Sequence, residues 1–151
     1  MKLCEKLQPQ IAKLLESMAH SVGSEAAGFA IVNNDESIGY CALYNVADHL
    51  GKLSVSKGID ILGMVLATEQ TTVIDDYARF PKAVSAWIQV GAQSACSAPV
   101  VVDGELVGAV TALSIDKKRH FTTEAVKKIE EYAGCVALLV EQARQGYPEV
   151  G

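Results

Sequence analysis

Two runs of apolar and β-branched residues, SACSAPVVV from Ser94 and ELVGAVTALS from Glu105, meet at Asp103-Gly104. An Asp-Gly pair tolerates positive φ at both positions, and the tight turn it makes matches the twist of two antiparallel strands. The segment reads as a hairpin of long strands, which limits the chain to folds containing an antiparallel sheet. A second hairpin is expected upstream, where AAGFAIVNNDES and IGYCALYNV surround the turn formers Asn33, Asn34 and Asp35. By the two-residue period of a strand, Tyr40, Ala42, Tyr44 and Val46 share one face of the second run, and Cys41, Leu43 and Asn45 share the other.

Helical spacing brackets these strands. Ile11, Leu14, Leu15, Met18 and Val22 form one apolar stripe, predicting a helix over about 9–22 with Pro9 in its first turn, where a missing N–H costs nothing. Leu3 and Leu7 extend the stripe backwards, so one longer helix kinked at Pro9 is the alternative. A closing helix is predicted over about 122–145, with Thr122 as N-cap and Phe121 stapled onto Val126. Its stripe is Val126, Ile129, Ala133, Val136, Ala137 and Val140. Tyr132, Leu138 and Leu139 lie off it, and a second apolar face calls for a second partner, so a homodimer built from the terminal helices is expected.

Between the hairpins lies KGIDILGMVLATEQTTVIDDYARF. ILGMVLATEQ suits a short helix with Asp60 as N-cap, its carboxylate accepting from free first-turn N–H groups. TTVID suits a short strand, and AVSAWIQVG a brief helix closed by Gly91. The order helix, strand, strand, helix, strand, short helix, strand, strand, helix implies an α+β fold around an antiparallel sheet. At 151 residues the chain has the size of one domain.

Charge and composition narrow the function. A formal net charge of -5, with basic residues scattered apart from Lys117-Lys118-Arg119, argues against nucleic acid, and that triplet reads as a solvated turn. No apolar run approaches the ~20 residues of a membrane span, and the N-terminus has no signal-like apolar stretch, so a cytoplasmic location without membrane contact is expected. Cys4, Cys41, Cys96 and Cys135 stand far apart with no CxxC pair, so reduced, mainly structural thiols are expected. His20, His49 and His120 lack zinc spacing, and none is singled out as a haem ligand. Asp75 and Asp76, adjacent on a strand, point to opposite faces and cannot easily share a metal ion. They read as a strand-ending turn, one of them with a possible view of a pocket. A phosphate loop would need a Lys-Ser/Thr pair after its glycines, and here Lys57 precedes Gly58.

Taken in order, the Gly58 to Gly63 segment with Val65 and Thr68, the strand and acid of VIDD, the SACSAPVVVDGELVGAVTALS hairpin and the Phe121-Thr122 helix start resemble the GAF domains, ligand-sensing and dimerising modules of signalling proteins. The resemblance covers nearly the whole chain. It implies a single domain over residues 1–151, with five or six antiparallel strands, the terminal helices on one face, and a ligand pocket between the other face and the central loops and helices. Chromophore domains, cyclic-nucleotide sensors, nitrate receptors and free methionine-R-sulfoxide reductases use that pocket, so the fold alone does not select among them. Many GAF domains read Gly-x-Gly where this chain has Gly58-Ile59-Asp60. A carboxylate at that helix N-terminus disfavours small anions and cyclic-nucleotide phosphates.

Covalent bilin is not expected, because Ala86-Trp87-Ile88 stands where related domains carry a Cys-His pair. The reductases carry cysteines near Leu62 and Ala83, so the match fails where the chemistry lies, although Cys41 and Cys96 could meet across the sheet. The residues taken as candidate ligand-binding lining are Phe29, Tyr40, Tyr44, Leu62, Val65, Leu66, Tyr77, Phe80, Trp87, Ser94 and Cys96, with Asp76 as the pocket acid. Aromatic side chains with a few polar tips suit an apolar small-molecule site, and equally a filled core. The expectation is a sensor, not an enzyme, that binds an unidentified small molecule, dimerises, and passes its signal to a separate protein unless the chain is one piece of a larger one. The alternatives are a ligand-free scaffold and, less favoured, a redox enzyme.

Overall fold

The computed structural model describes residues 2–145; the side chains of residues 2–4 and of Asp48 lie outside the described set. The elements are α1 (Lys2–Val22), β1 (Ala26–Val32), β2 (Ile38–Tyr44), β3 (Ser54–Val55), α2 (Asp60–Thr68), β4 (Thr72–Ile74), α3 (Ser85–Gln89), β5 (Ser94–Val102), β6 (Glu105–Ser114) and α4 (Thr123–Arg144), with 3-10 turns at Asp48–Lys52 and Tyr77–Arg79. The strands form one six-stranded sheet in the order β3-β2-β1-β6-β5-β4, every neighbour antiparallel. This is the α+β architecture expected from the hairpins. The two-residue edge strand β3 has too little pattern to be foreseen.

Both hairpins form. At the second, Asp103 and Gly104 have φ of +52° and +78°, the two positive values a tight turn between twisted strands needs. At the first, Ser37 donates from both its amide and its hydroxyl to the Asp35 carboxylate and closes the loop.

The helix face of the sheet carries α1 and α4. The apolar stripe of α1 is continuous across Pro9, with Leu7, Ile11, Leu15 and Met18 all buried, and α1 runs as one element from Lys2. Packing of that stripe outweighs the local penalty of an interior proline, about 3 kcal/mol. The longer alternative for α1 is therefore the one adopted. On α4, the Thr122 hydroxyl accepts from the Ala125 amide at 3.1 Å, and Ile129, Ala133, Val136 and Val140 are buried against the sheet. Tyr132 and Leu139 pack around the same core, and the Tyr132 hydroxyl lies 2.6 Å from the Ser17 hydroxyl of α1. Much of the expected second apolar face of α4 is thus used within the chain, while Leu138 stays 60% exposed. Among the described residues no helix is long and apolar enough to cross a membrane.

The opposite face is covered by α2, α3 and the turns around them. A bulge distinguishes the two faces in β2. Phe29 pairs with Ala42 and Ala30 with Tyr40, so Cys41 is the extra residue. The strand period breaks there: Tyr40 faces α2 and α3, whereas Ala42 and Tyr44 face the terminal helices. Gly28 makes room for this arrangement, because a Cβ at that position would come within 2.7 Å of the Tyr40 ring.

Candidate functional site

The face under α2 and α3 holds a compact group of aromatic and hydroxyl side chains around one acid. Tyr40 and Trp87 meet edge to face, with ring centroids 5.5 Å apart, and Tyr77 lies 6.1 Å from Phe80. Ile61 of α2 with Ala92, Ala95 and Leu113 supplies the apolar wall, and Leu62, Val65 and Leu66 pack in the same core. The space that remains, bounded by Tyr40, Asp60, Tyr77, Trp87, Thr111 and Leu113 among others, is about 10 Å³. That is room for roughly one water molecule. In this conformation the lining side chains fill the site.

Asp60 is its one acid. The residue is 3% exposed and opens α2 with φ of +63°, a left-handed conformation in which Asp is tolerated better than most side chains. The sequence places it as an N-cap facing free helix N–H groups; instead Ile59 occupies the cap position and Asp60 turns inward. Its Oδ1 accepts the Tyr77 hydroxyl at 2.6 Å, the Ile61 amide also donates to its carboxylate, and its own backbone N–H donates to the Lys82 carbonyl. The reason is local geometry. Gly63 packs so closely on the preceding loop that a Cβ there would lie 2.3 Å from the Ser56 carbonyl, and the Gly63 carbonyl accepts from the Gly58 amide. That closure swings the chain into α2 through a left-handed step at Asp60.

Burial raises the Asp60 carboxyl above its ordinary value, against the pull of the hydrogen bonds from Tyr77 and Ile61. Burial also pushes the Tyr77 and Tyr40 hydroxyls upward, and the nearby Asp60 charge pushes them further. Both phenols stay protonated, and Tyr77 donates. Tyr77 uses that property as a connector: it donates to Asp60 and accepts from the Val84 amide at 2.9 Å. One hydroxyl thus ties the start of α2 to the start of α3. Behind Tyr40, Thr111 hydrogen-bonds with its hydroxyl and lies 2.9 Å from the Ser97 hydroxyl.

Of the residues expected from the sequence, Tyr40, Tyr77 and Trp87 border the remaining space, while Leu62, Val65, Leu66 and Phe80 belong to the same core without bordering it. Phe29, Tyr44 and Cys96 do not: they belong to the core beneath α1 and α4. For Tyr44 the bulge at Cys41 is the cause, since it turns Tyr40 and Tyr44 to opposite faces. Ser94 is buried at a strand end, where its hydroxyl donates to the Asp75 carbonyl and accepts from the Arg119 amide. Asp76 lies at the surface, 2.9 Å from the Lys118 ammonium and 3.7 Å from Arg79, and Asp75 is beside His120. Neither member of the double aspartate faces the site. Thr111 was missed, although the alternation of Ala109, Thr111 and Leu113 along β6 carries its signal. The inward turn of Asp60 had none, because its partner is seventeen residues away and out of register with any repeat.

One cysteine departs from expectation, while Cys96 and Cys135 are free thiols. Cys41 is disulfide-bonded, where a reduced thiol was expected. Cys96 is a free, fully buried thiol on the helix face, so Cys41 and Cys96 do not pair, and burial followed by the Glu130 charge pushes it up to about 12. The side chain of Cys4 lies outside the described residues. Among the described residues, no three His, Cys, Asp or Glu side chains come together as a metal site. A wider hollow of about 460 Å³ opens between the hairpin ends and the end of α4, lined by Asn33, Asn34, Glu105, Val140 and Arg144 among others, and it shares only Phe29 with the expected lining.

Comparison with known proteins bears on this arrangement. The fold matches a type II free methionine-R-sulfoxide reductase from Thermoplasma acidophilum with a TM-score of 0.77 and 20% identity, covering 93% of this chain and 96% of that one. It matches the GAF domain of a phosphoenolpyruvate-protein phosphotransferase from Coxiella burnetii with a TM-score of 0.78 and 16% identity, covering 95% and 94%. A free methionine-R-sulfoxide reductase from Neisseria meningitidis, solved with its substrate, gives 0.76 and 18%, covering 89% and 77%. At such identities the likeness carries the fold alone, and it spans reductases and a GAF domain of a larger protein. No curated protein matches the chain. The family model for the GAF domain matches residues 10–141, and with the six-stranded sheet and its helix layers this places the chain in the GAF domain family.

Proposed function

We propose that this chain is a small-molecule-sensing GAF domain, in which a ligand enters the face covered by α2 and α3 and the terminal helices pair with those of a second copy. The observation that carries the reading is the Asp60–Tyr77–Val84 connection. A buried acid and a buried phenol hold down the start of α3, whose Trp87 closes the site over Tyr40. A core that needed only to be filled could do so with apolar side chains, since buried polar groups must be hydrogen-bonded to be tolerated. A ligand that favours an open arrangement of α3 would shift the balance between closed and open states by its difference in affinity for the two. The exposed Leu138, with Gly134 and Cys135 also exposed one turn before it on α4, is the apolar surface that a second copy would cover.

Trp87, the single tryptophan, reports directly on this reading. A metabolite screen followed by Trp87 fluorescence and unfolding temperature should yield compounds that raise stability by about 2–4 kcal/mol at 100- to 1,000-fold excess over Kd. A broad library with no active compound would favour a scaffold. Light scattering should give a dimer mass, reduced towards the monomer by Leu138→Glu.

The reductase likenesses motivate a second reading, in which the chain turns over free methionine-R-sulfoxide at the expense of a dithiol. Against it stand Leu62 and Ala83 near the positions where the resemblance would put cysteines, and a Cys96 thiol far from thiolate character on the other side of the sheet. An assay of the purified chain with that substrate and dithiothreitol should give no turnover; turnover lost in Cys41→Ser would establish the enzyme instead.

A further inference from the structure

We propose that the Asp60 carboxylate is the anchor for a small protonated alkylamine, taken up beneath Trp87 and Tyr40 when the Tyr77 hydroxyl releases Asp60. The inference rests on the reading of this face as a ligand site and adds the class of ligand. Three observations lead to it.

The polar side chains that line the residual cavity are Tyr40, Asp60, Tyr77 and Thr111, and none of them is basic. Among the described residues no cation pairs with Asp60: its hydrogen bonds come from a phenol and a backbone amide. Buried carboxylates in proteins are generally paired with a positive group, and a site needing only an acceptor for Tyr77 and Ile61 would be served by an amide, which buries no charge. An acid kept at 3% exposure without a cation is therefore suited to one that arrives from outside.

The surrounding groups select the kind of cation. Tyr40 and Trp87, whose rings meet edge to face at 67°, both border the space, and aromatic rings attract a positive charge. Asp60 and the Thr111 hydroxyl offer acceptors, which favours a nitrogen that still carries N–H groups over a quaternary one. Size follows from the lid. Only about 10 Å³ is open while α3 is closed, so entry requires the segment from Tyr77 to Trp87 to move, and the Tyr77 hydroxyl is the group that an ammonium would replace at Asp60.

The test uses the purified full chain and four probes at matched ionic strength: ethylammonium chloride, tetramethylammonium chloride, neutral propanol and sodium acetate, read by Trp87 fluorescence and unfolding temperature. Ethylammonium should bind and raise the unfolding temperature, with propanol and acetate inactive and tetramethylammonium weaker by about tenfold, as expected for loss of a charge-assisted hydrogen bond. Asp60→Asn should abolish the ethylammonium response. Should that variant not fold, Tyr77→Phe provides the independent measurement: removing the competing donor should tighten ethylammonium relative to propanol. Equal binding of tetramethylammonium, or an unchanged response in Asp60→Asn, overturns the anchor. If ammonium probes are inert while neutral or anionic metabolites from the broader screen stabilise the chain, the ligand class is wrong and the sensor reading stands. If no compound of any charge acts, both fall.

Discussion

The two faces of the sheet solve the same packing problem with different materials. Beneath α1 and α4 the core is dry: Ile11, Leu15, Met18, Phe29, Val110, Ile129 and Val136 are all at most 1% exposed, and the Cys96 thiol is simply buried among them. Beneath α2 and α3 the core is as deeply buried but contains an acid, two phenols and a hydroxyl pair, and beside α2 its cover is a five-residue helix and a 3-10 turn. Two long helices held by apolar area form a rigid base. A short cover held by a few hydrogen bonds, among them those of Tyr77 to Asp60 and Val84 and of the Asp60 amide to Lys82, is built to be separable.

The largest expected effect tests that contrast directly. Phe29→Ala, which empties the middle of the dry core, should cost about 3–5 kcal/mol in denaturant unfolding. Trp87→Ala removes a side chain of similar burial, yet its loss should appear mainly as faster amide exchange over residues 77–92, with the β1 and β6 amides still protected. A global loss equal to that of Phe29→Ala would mean that the two faces unfold as one unit and that the cover is not separable.

Tyr77→Phe comes next. It deletes the donor to Asp60 and leaves the Val84 amide without its acceptor, so a loss of about 1.5–3 kcal/mol is expected, the range for hydrogen bonds to charged groups. The same exchange experiment localises it: protection should fall at α3 and not at α4.

These contrasts were unequally legible in the sequence. The Asp103-Gly104 hairpin, the Thr122 cap and the α4 stripe could be read because each depends on residues within a few positions of one another. The assignment of side chains to faces failed in β2, where Cys41 adds one residue to the strand and turns Tyr44 away from Tyr40. Nothing in CALY announces a bulge, because the misfit is with Phe29 and Ala30 on the neighbouring strand. Asp60 shows the same limit. Its residue type and place beside glycines suggested a cap, while its inward turn depends on a phenol from the Tyr77 turn and a carbonyl from Lys82, which only the folded chain brings near. Local rules identify the elements; which groups meet inside the lid face is a property of tertiary contact.

The buried acid makes a finer prediction. The folded-state pKa of Asp60 is raised above the ordinary 3.8 by burial, so its favourable contribution is complete below pH 3.8 and is lost as pH rises through the folded value. Stability of the parent chain minus that of Asp60→Asn should therefore fall as pH increases from about 4 and level off once the carboxyl is ionised in both states. A difference that rises over this range would mean that the acid is held by a cation, and the contrast between the faces would lose its electrostatic part.

Asp76 supplies the opposite slope and the smallest effect. The hydrogen bond from Lys118, helped by the charges of Lys118 and Arg79, lowers the Asp76 carboxyl below 3.8 in the folded state. Its contribution is then present above 3.8 and lost as pH falls through the lowered value, the reverse of Asp60. The Lys118 side chain is 59% exposed and that of Arg79 88%, so water and salt screen the attraction, and exposed pairs of this kind contribute little. Asp76→Asn should leave unfolding at pH 7 and 0.5 M salt, roughly a Debye length of a few ångströms, indistinguishable from the parent chain. At low salt, titration from pH 5 to pH 3 should destabilise the parent slightly more than the variant. If Asp76→Asn instead weakens binding of a compound that perturbs Trp87, the double aspartate communicates with the lid face through the Tyr77 turn, and the separation of surface acid from buried acid fails at the one place in the chain where the two acids are bridged by a single short segment.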